Sequence, residues 1–213
     1  MSLTLYFHPL SSFCHKVLIA LYENGTPFTP HLVDLGDPKA NADFKAIWPI
    51  GKFPVLRDGD RTVAESSIII EYLAQHYPGK TELLPRDSDL ALRTRMQDRF
   101  FDLYLHLPMQ KAVGDRLRPA DRKDPFGVEE AKRSMQTALG MIEKDMATKT
   151  WAMGEVFTIA DCAAAPALFY ANKVMPFAGT HQNTAAYLDR LMQRPSYVRA
   201  LKEAEPYFSM FPQ

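Results

Sequence analysis

The chain has 213 residues, 46% of them hydrophobic and 23% charged, the balance of a folded globular protein with room for one large domain or two small ones. Lysine plus arginine equals aspartate plus glutamate at 25 each, a formal net charge of +0 with no dense basic run, which argues against nucleic acid and anionic membrane as partners. Two cysteines, Cys14 and Cys162, are too few for a disulfide framework, and no apolar run nears the roughly 20 residues that span a bilayer, so a protein of the reducing cytoplasm without a membrane span is expected.

Leu3, Leu5 and Phe7 alternate with Thr4 and Tyr6, the period of a half-buried strand that Pro9 stops. From Ser12 the residues Phe13, Val17, Ala20 and Leu21 recur at helical spacing until Asn24-Gly25 supplies a left-handed stop. Alternation returns over Phe28 to Leu35, where Pro30 lacks a ladder donor and so marks an edge or a bend. A right-handed crossover makes this strand parallel to the first. A short amphipathic stretch with Ala40, Phe44 and Ile47 precedes two runs, Pro54 to Arg57 and Arg61 to Ala64, joined as a hairpin through Asp58-Gly59. Ile68 to His76 then reads as a helix that Pro78-Gly79 ends. The order βαβαββα is that of a small α/β domain, expected over residues 1–79.

Past a polar joint at Leu84 to Asp89 the alternation ceases, and residues 88–213 are expected to be all helical. Leu92, Met96, Phe100, Leu103 and Leu107 keep the spacing of an apolar helix face, with Pro108 bending that helix near its end. Val128, Ala131, Met135, Leu139, Ile142 and Met146 keep it again after a charged, proline-bearing break at Arg118 to Gly127. Phe157 followed by Thr158-Ile159-Ala160-Asp161 is a hydrophobic staple and capping box that opens a helix running to about Val174. Asp161 is therefore structural, and its loss should cost on the order of 1 kcal/mol. Thr184 to Arg194 and Ser196 to Glu205 complete the helical half.

Several chemistries are missing: there is no G-x-G-x-x-G, P-loop, H-E-x-x-H or G-x-S-x-G, and the histidines never pair at metal-ligand spacing, so no metal is expected. Ser11-Ser12-Phe13-Cys14 spans the first strand–helix junction, where backbone N–H groups and the helix dipole favour an anion and where either serine also serves as a cap. Lys52-Phe53-Pro54-Val55 sets a proline at the start of a strand, where a cis peptide leaves Phe53 free to pair its backbone with an extended ligand. Glu65-Ser66 opens another helix, whose N–H groups suit a carboxylate while the Glu65 side chain suits an ammonium. Lys39 and Lys52 suit a second carboxylate. Cys14 lies where a thioredoxin-type C-x-x-C has its second cysteine, but on the apolar side of its helix, which favours core filling over disulfide exchange. Tyr104 and His106 are the polar candidates for a second-substrate pocket on the helix from Leu90 to Leu117.

Taken in order, Leu5-Tyr6-Phe7 with Ser11-Ser12-Phe13-Cys14, Pro49-Ile50-Gly51-Lys52-Phe53-Pro54-Val55-Leu56, Glu65-Ser66-Ser67-Ile68-Ile69-Ile70-Glu71-Tyr72-Leu73 and Phe157-Thr158-Ile159-Ala160-Asp161 resemble the cytosolic glutathione transferases over essentially the whole chain. The serine pattern is similar to the theta and zeta classes; Trp48 stands where the family usually has Asn and Phe53 where Val is common. The resemblance implies a thioredoxin-like α/β N-terminal domain, an all-α C-terminal domain that contributes the electrophile pocket, a homodimer, a detoxification role, and glutathione as co-substrate or cofactor. It makes Ser11 the partner of the glutathione sulfur, with Ser12 and Cys14 in reserve. Phe53, ahead of Pro54, becomes the clamp on the cysteinyl unit, Glu65 with Ser66 the γ-glutamyl site, and Lys39 with Lys52 the holders of the glycine carboxylate. A serine hydroxyl does not ionise near neutral pH and Ser11 has no histidine partner visible in the sequence, so it is expected to donate a hydrogen bond to the thiolate rather than act as base or nucleophile. Transfer to a hydrophobic electrophile leads; the family also includes zeta-like isomerases, dehalogenases, and non-catalytic members such as the stringent starvation protein, which binds RNA polymerase.

Overall fold

The computed structural model of the chain describes residues 3–212. Strand β1 (Leu3–Phe7) buries alternate residues, pairs in parallel with β2 (Thr29–Leu32) and antiparallel with β3 (Val55–Asp58), and β4 (Arg61–Ala64) completes the order β2-β1-β3-β4. Strand β2 is an exposed edge, as Pro30 requires, and ends earlier than the alternation suggests because Asp34 Oδ1 accepts the Gly36 N–H at 2.8 Å and turns the chain. Helix α1 (Ser12–Asn24) stops at Gly25, whose φ of 61° lets its N–H return to the Leu21 and Tyr22 carbonyls. Helices α2 (Pro38–Ile47) and α3 (Ser66–His76) complete a thioredoxin-like half.

The second half is helical: α4 (Ser88–Phe100), a π-helical turn (Phe101–His106), α5 (Leu107–Arg116), α6 (Pro125–Met146), α7 (Ile159–Val174), α8 (Gln182–Met192), α9 (Pro195–Ala204) and a 3-10 tail (Glu205–Met210). Helix α7 is lined with buried alanines, at 160, 163, 164, 165 and 167, that let α1 and α4 pack against it. Its capping box is formed, and the Asp161 carboxylate also accepts the Ala152 N–H at 2.8 Å and the Tyr187 hydroxyl at 2.6 Å. Among the described residues no helix is long and apolar enough to cross a membrane.

Helix α4 departs from the sequence reading. Its apolar face points outward, with Leu92 at 66% and Met96 at 65% exposure, whereas Thr94, Asp98, Asp102 and His106 are buried. The periodicity marked a real apolar face, but the inward face is polar because α1 presents Lys16 and Ser12 to it. The irregularity expected from Pro108 lies one turn earlier: the Leu107 N–H reaches back five residues to the Asp102 carbonyl, just before the proline that has no N–H to give.

Candidate functional site

The β1–α1 junction is pinned from two sides, since the Tyr170 hydroxyl donates to the Leu10 carbonyl at 2.8 Å and His15 Nε2 donates to the Pro9 carbonyl at 2.5 Å. Ser11 is the N-cap of α1, and its Oγ accepts the Cys14 N–H at 3.3 Å. Accepting there leaves the hydroxyl proton available to donate elsewhere. Ser12 is buried, and its Oγ shares a hydrogen bond of 2.6 Å with His106 Nε2. A serine with a histidine partner therefore exists, but it is Ser12, and the partner lies 94 residues away in sequence. Burial, with Lys16 and His15 nearby, lowers the His106 pKa to about 3, so its imidazole is neutral at physiological pH. Cys14 is fully buried, and desolvation pushes its thiol up to about 12, which agrees with core filling rather than nucleophilic chemistry.

Two cavities adjoin at Phe53. The smaller, of 210 Å³, brings together Lys52, Phe53, Pro54, Glu65 and Ser66 with the aromatic walls Phe13 and Trp48. The Phe53–Pro54 peptide is cis. Glu65 sits at φ 68°, a backbone region costly for a residue with a Cβ, directly ahead of α3, which has no side-chain cap. Uncapped first-turn N–H groups of this kind suit an anionic group. Lys39 lies elsewhere: it forms an exposed i,i+4 pair with Asp43 at 2.6 Å and lines neither cavity.

The larger cavity, of 620 Å³, is bordered by Ser11, Phe53, Leu35, Met109, Val113 and Phe211. It also takes in His8, Asp34 and Gln110, and burial keeps the His8 pKa below its ordinary value despite the raising effect of Asp34. Tyr104 is not among these residues; it lines a separate groove of 430 Å³ with Phe100, Leu103 and Met141, and His106 meets the junction from beneath, bonded to Ser12 and stacked on Phe13 with ring centroids 4.2 Å apart. The π turn sets the phase at which the residues that do face the cavity, Met109, Gln110, Val113 and Gly114, follow in α5. The tail Met210 to Pro212 is the other wall the sequence reading missed; it is held where Arg116 Nη1 donates to the Pro212 carbonyl at 3.0 Å.

Beneath both cavities runs a buried polar seam between the two halves. Ser12 and Lys16, one turn apart on α1, face His106 and Asp102 on the π turn, and Lys16 Nζ lies 2.7 Å from Asp102, 2.6 Å from Asp98 and 2.8 Å from Ser67 Oγ. Arg99 Nη2 donates to the same Asp102 Oδ2 at 2.6 Å and borders the smaller cavity. Desolvation raises the Asp102 pKa, against the pull of Lys16.

Residues 5–81 match the family described as Glutathione S-transferase, N-terminal domain, and residues 104–195 match Glutathione S-transferase, C-terminal domain. The chain is 31% identical over 209 residues to Glutathione S-transferase 3 of Zea mays, covering 93% of each protein. It is 27% identical over 209 residues to a Stringent starvation protein A homolog of Coxiella burnetii, covering 95% of this chain and 93% of the other. The crystal structure of a glutathione S-transferase from Methylobacillus flagellatus, with glutathione bound, is similar with a TM-score of 0.86 at 25% identity, covering 93% of this chain and 98% of that one.

Proposed function

The chain belongs to the glutathione S-transferase family, and from that premise we propose that it binds glutathione across the two adjoining cavities and activates it as a thiolate for attack on a hydrophobic electrophile. One observation carries the reading: Ser11, with its proton free to donate at the N-terminus of α1, and Glu65-Ser66, at the uncapped start of α3, border cavities that meet at Phe53. A ligand with a thiol in its middle and an amino-acid end suits that spacing. Ser11 donates to the sulfur, Phe53 pairs with the peptide, and Lys52 holds the glycine carboxylate.

An unperturbed thiol ionises at about 8.5, and lowering that by roughly two units requires about 2.7 kcal/mol in favour of the thiolate. A hydrogen bond to a charged acceptor supplies about 1.5–3 kcal/mol and a helix N-terminus about 0.3–1 kcal/mol, so the two groups suffice without a base. The exposed apolar residues Ile68 on α3 and Leu92 and Met96 on α4, two helices tied by the Arg95–Glu71 pair at 2.8 Å, support a homodimer formed through that side, which sedimentation will test.

A second reading rests on the likeness to a stringent starvation protein A homolog: a member that keeps the fold for binding and catalyses nothing. Calorimetry with glutathione, followed by turnover with an aryl halide, an alkyl halide, a peroxide and a cis-dienoic acid, separates the two. Binding with conversion of at least one electrophile is expected. Binding with no conversion would favour the second reading, and no binding would remove the first.

A further inference from the structure

The larger cavity holds a second hydrogen-bond donor that activation of the thiol does not use. His8 follows β1 and shares one turn with Ser11: its carbonyl accepts the Ser11 N–H at 2.9 Å, and its ring nitrogen Nδ1 accepts the Leu10 N–H at 3.2 Å. An acceptor at Nδ1 puts the proton of the neutral imidazole on Nε2, and Nε2 has no hydrogen-bond partner among the described residues. Burial favours that neutral ring, against the charge of Asp34 on the same cavity. The ring is also held in place, stacked on Phe53 with centroids 6.1 Å apart and met edge-on by Tyr207 of the 3-10 tail at 5.3 Å. One turn thus brings two donors, the Ser11 hydroxyl and the His8 imidazole, to a cavity whose walls include the apolar Leu35, Met109, Val113 and Phe211.

We propose that His8 is a catalytic residue whose Nε2–H receives the carbonyl oxygen of an α,β-unsaturated ketone or aldehyde as the thiolate adds to it, resting on the reading of Ser11 and glutathione given above. In that addition the sulfur bonds to the β-carbon, the carbon–carbon π pair shifts to form an enolate, and the negative charge passes from sulfur to the carbonyl oxygen. A proton from water then adds to the α-carbon, replacing the one glutathione lost on ionising, and no group leaves. Ser11 serves the charge where it starts and His8 where it arrives. A donor fixed in advance binds the oxygen more strongly as it becomes charged, so its contribution falls on the transition state. Displacement of an alkyl halide develops no such oxygen and draws nothing from Nε2.

The test compares kcat/KM on two electrophiles, benzylideneacetone, a conjugated ketone, and benzyl chloride, which has the phenyl ring without the carbonyl. His8→Phe keeps an aromatic ring against Phe53 but no donor, and the ratio of ketone to halide should fall about 10- to 100-fold. His8→Gln, which restores a donor near Nε2, should recover part of that ratio. His8→Met, also without a donor, should reproduce the fall and takes the place of His8→Phe if the larger ring is not accommodated. If the wild type converts only the ketone, the fall is read on the ketone directly, against an unmoved thiol pKa of bound glutathione. A ratio that holds in the donorless variants, because both rates persist or both drop equally, would overturn the assignment, the second case marking a structural histidine. Wild-type protein that converts the halide but not the ketone would overturn this assignment alone. Conversion of neither would overturn the reading of the site and this assignment with it.

Discussion

Replacing Ser11 by alanine removes one hydroxyl and leaves the α1 N-terminus in place, so the expected loss is a single charge-assisted hydrogen bond to sulfur, about 1.5–3 kcal/mol. At 1.36 kcal/mol per unit, the bound thiol pKa should rise by about 1 to 2 units. Starting near 6.5, that lowers the thiolate fraction at pH 7 roughly three- to twenty-five-fold, and turnover with it. A raised thiol pKa withholds the thiolate only below it, so the deficit should vanish as the pH passes about 9.5. Ultraviolet titration of bound glutathione reads the pKa directly, and a pH–rate profile reads its consequence; glutathione affinity should change little. Loss of the cap to Cys14 adds a pH-independent cost of about 1 kcal/mol, or about 2–4 °C in Tm, which a melting curve separates from the catalytic effect. An unshifted profile in Ser11→Ala, together with a shifted one in Ser12→Ala, would refute the assignment.

Lys16→Met should destabilise the protein by about 3–5 kcal/mol at pH 7, because Asp98 and Asp102 are then buried with no cation between them. Since the Asp102 pKa is raised in the folded state, protonation favours folding, and the deficit measured by urea denaturation should narrow as pH falls from 7 toward the ordinary Asp value of about 4; a deficit that widens would contradict this. Glu65→Gly and Glu65→Ala both remove the carboxylate, but only glycine relieves φ 68°, so the glycine variant should be the more stable by on the order of 1 kcal/mol, and equal stabilities would show that the backbone there carries no strain. Among the described residues Asp34 is the one carboxylate or other charged side chain, His8 being neutral, that lines the larger cavity. A neutral electrophile should therefore outperform its carboxylate-bearing analogue, and Asp34→Lys should move that ratio toward the acid by roughly three- to tenfold in kcat/KM; an unmoved ratio counts against charge selection by Asp34.

Local chemistry is what the sequence made legible. Alternation gave β1, Asn24-Gly25 gave the end of α1, and Thr158 to Asp161 gave the start of α7, because each depends on neighbours within a few residues. Lys52, Phe53, Pro54, Glu65 and Ser66 do line one cavity. What escaped depends on partners distant in sequence. Nothing near Asp161 announces the Ala152 and Tyr187 donors, so the 1 kcal/mol expected from a cap alone falls short of the cost of stranding two further buried groups. Nothing near Ser12 announces His106. The outward apolar face of α4 misled for the same reason, since an amphipathic period shows that two faces differ but not which of them is covered. A signal for the inward face was available: Thr94, Asp98, Asp102 and His106 follow at steps of four, and Lys16, the one lysine of α1, asked for a counter-ion where it precedes the apolar run Val17 to Leu21.

The seam from Lys16 to Asp102 makes the two halves of this chain a matched pair. A chimera that grafted residues 3–79 onto a helical half lacking acids at positions 98 and 102 would enclose an ammonium without its counter-charge, and the reciprocal graft would enclose two carboxylates instead. Recombination between relatives is therefore productive only where the lysine and both acids cross over together, whichever electrophile the grafted helices were chosen to admit.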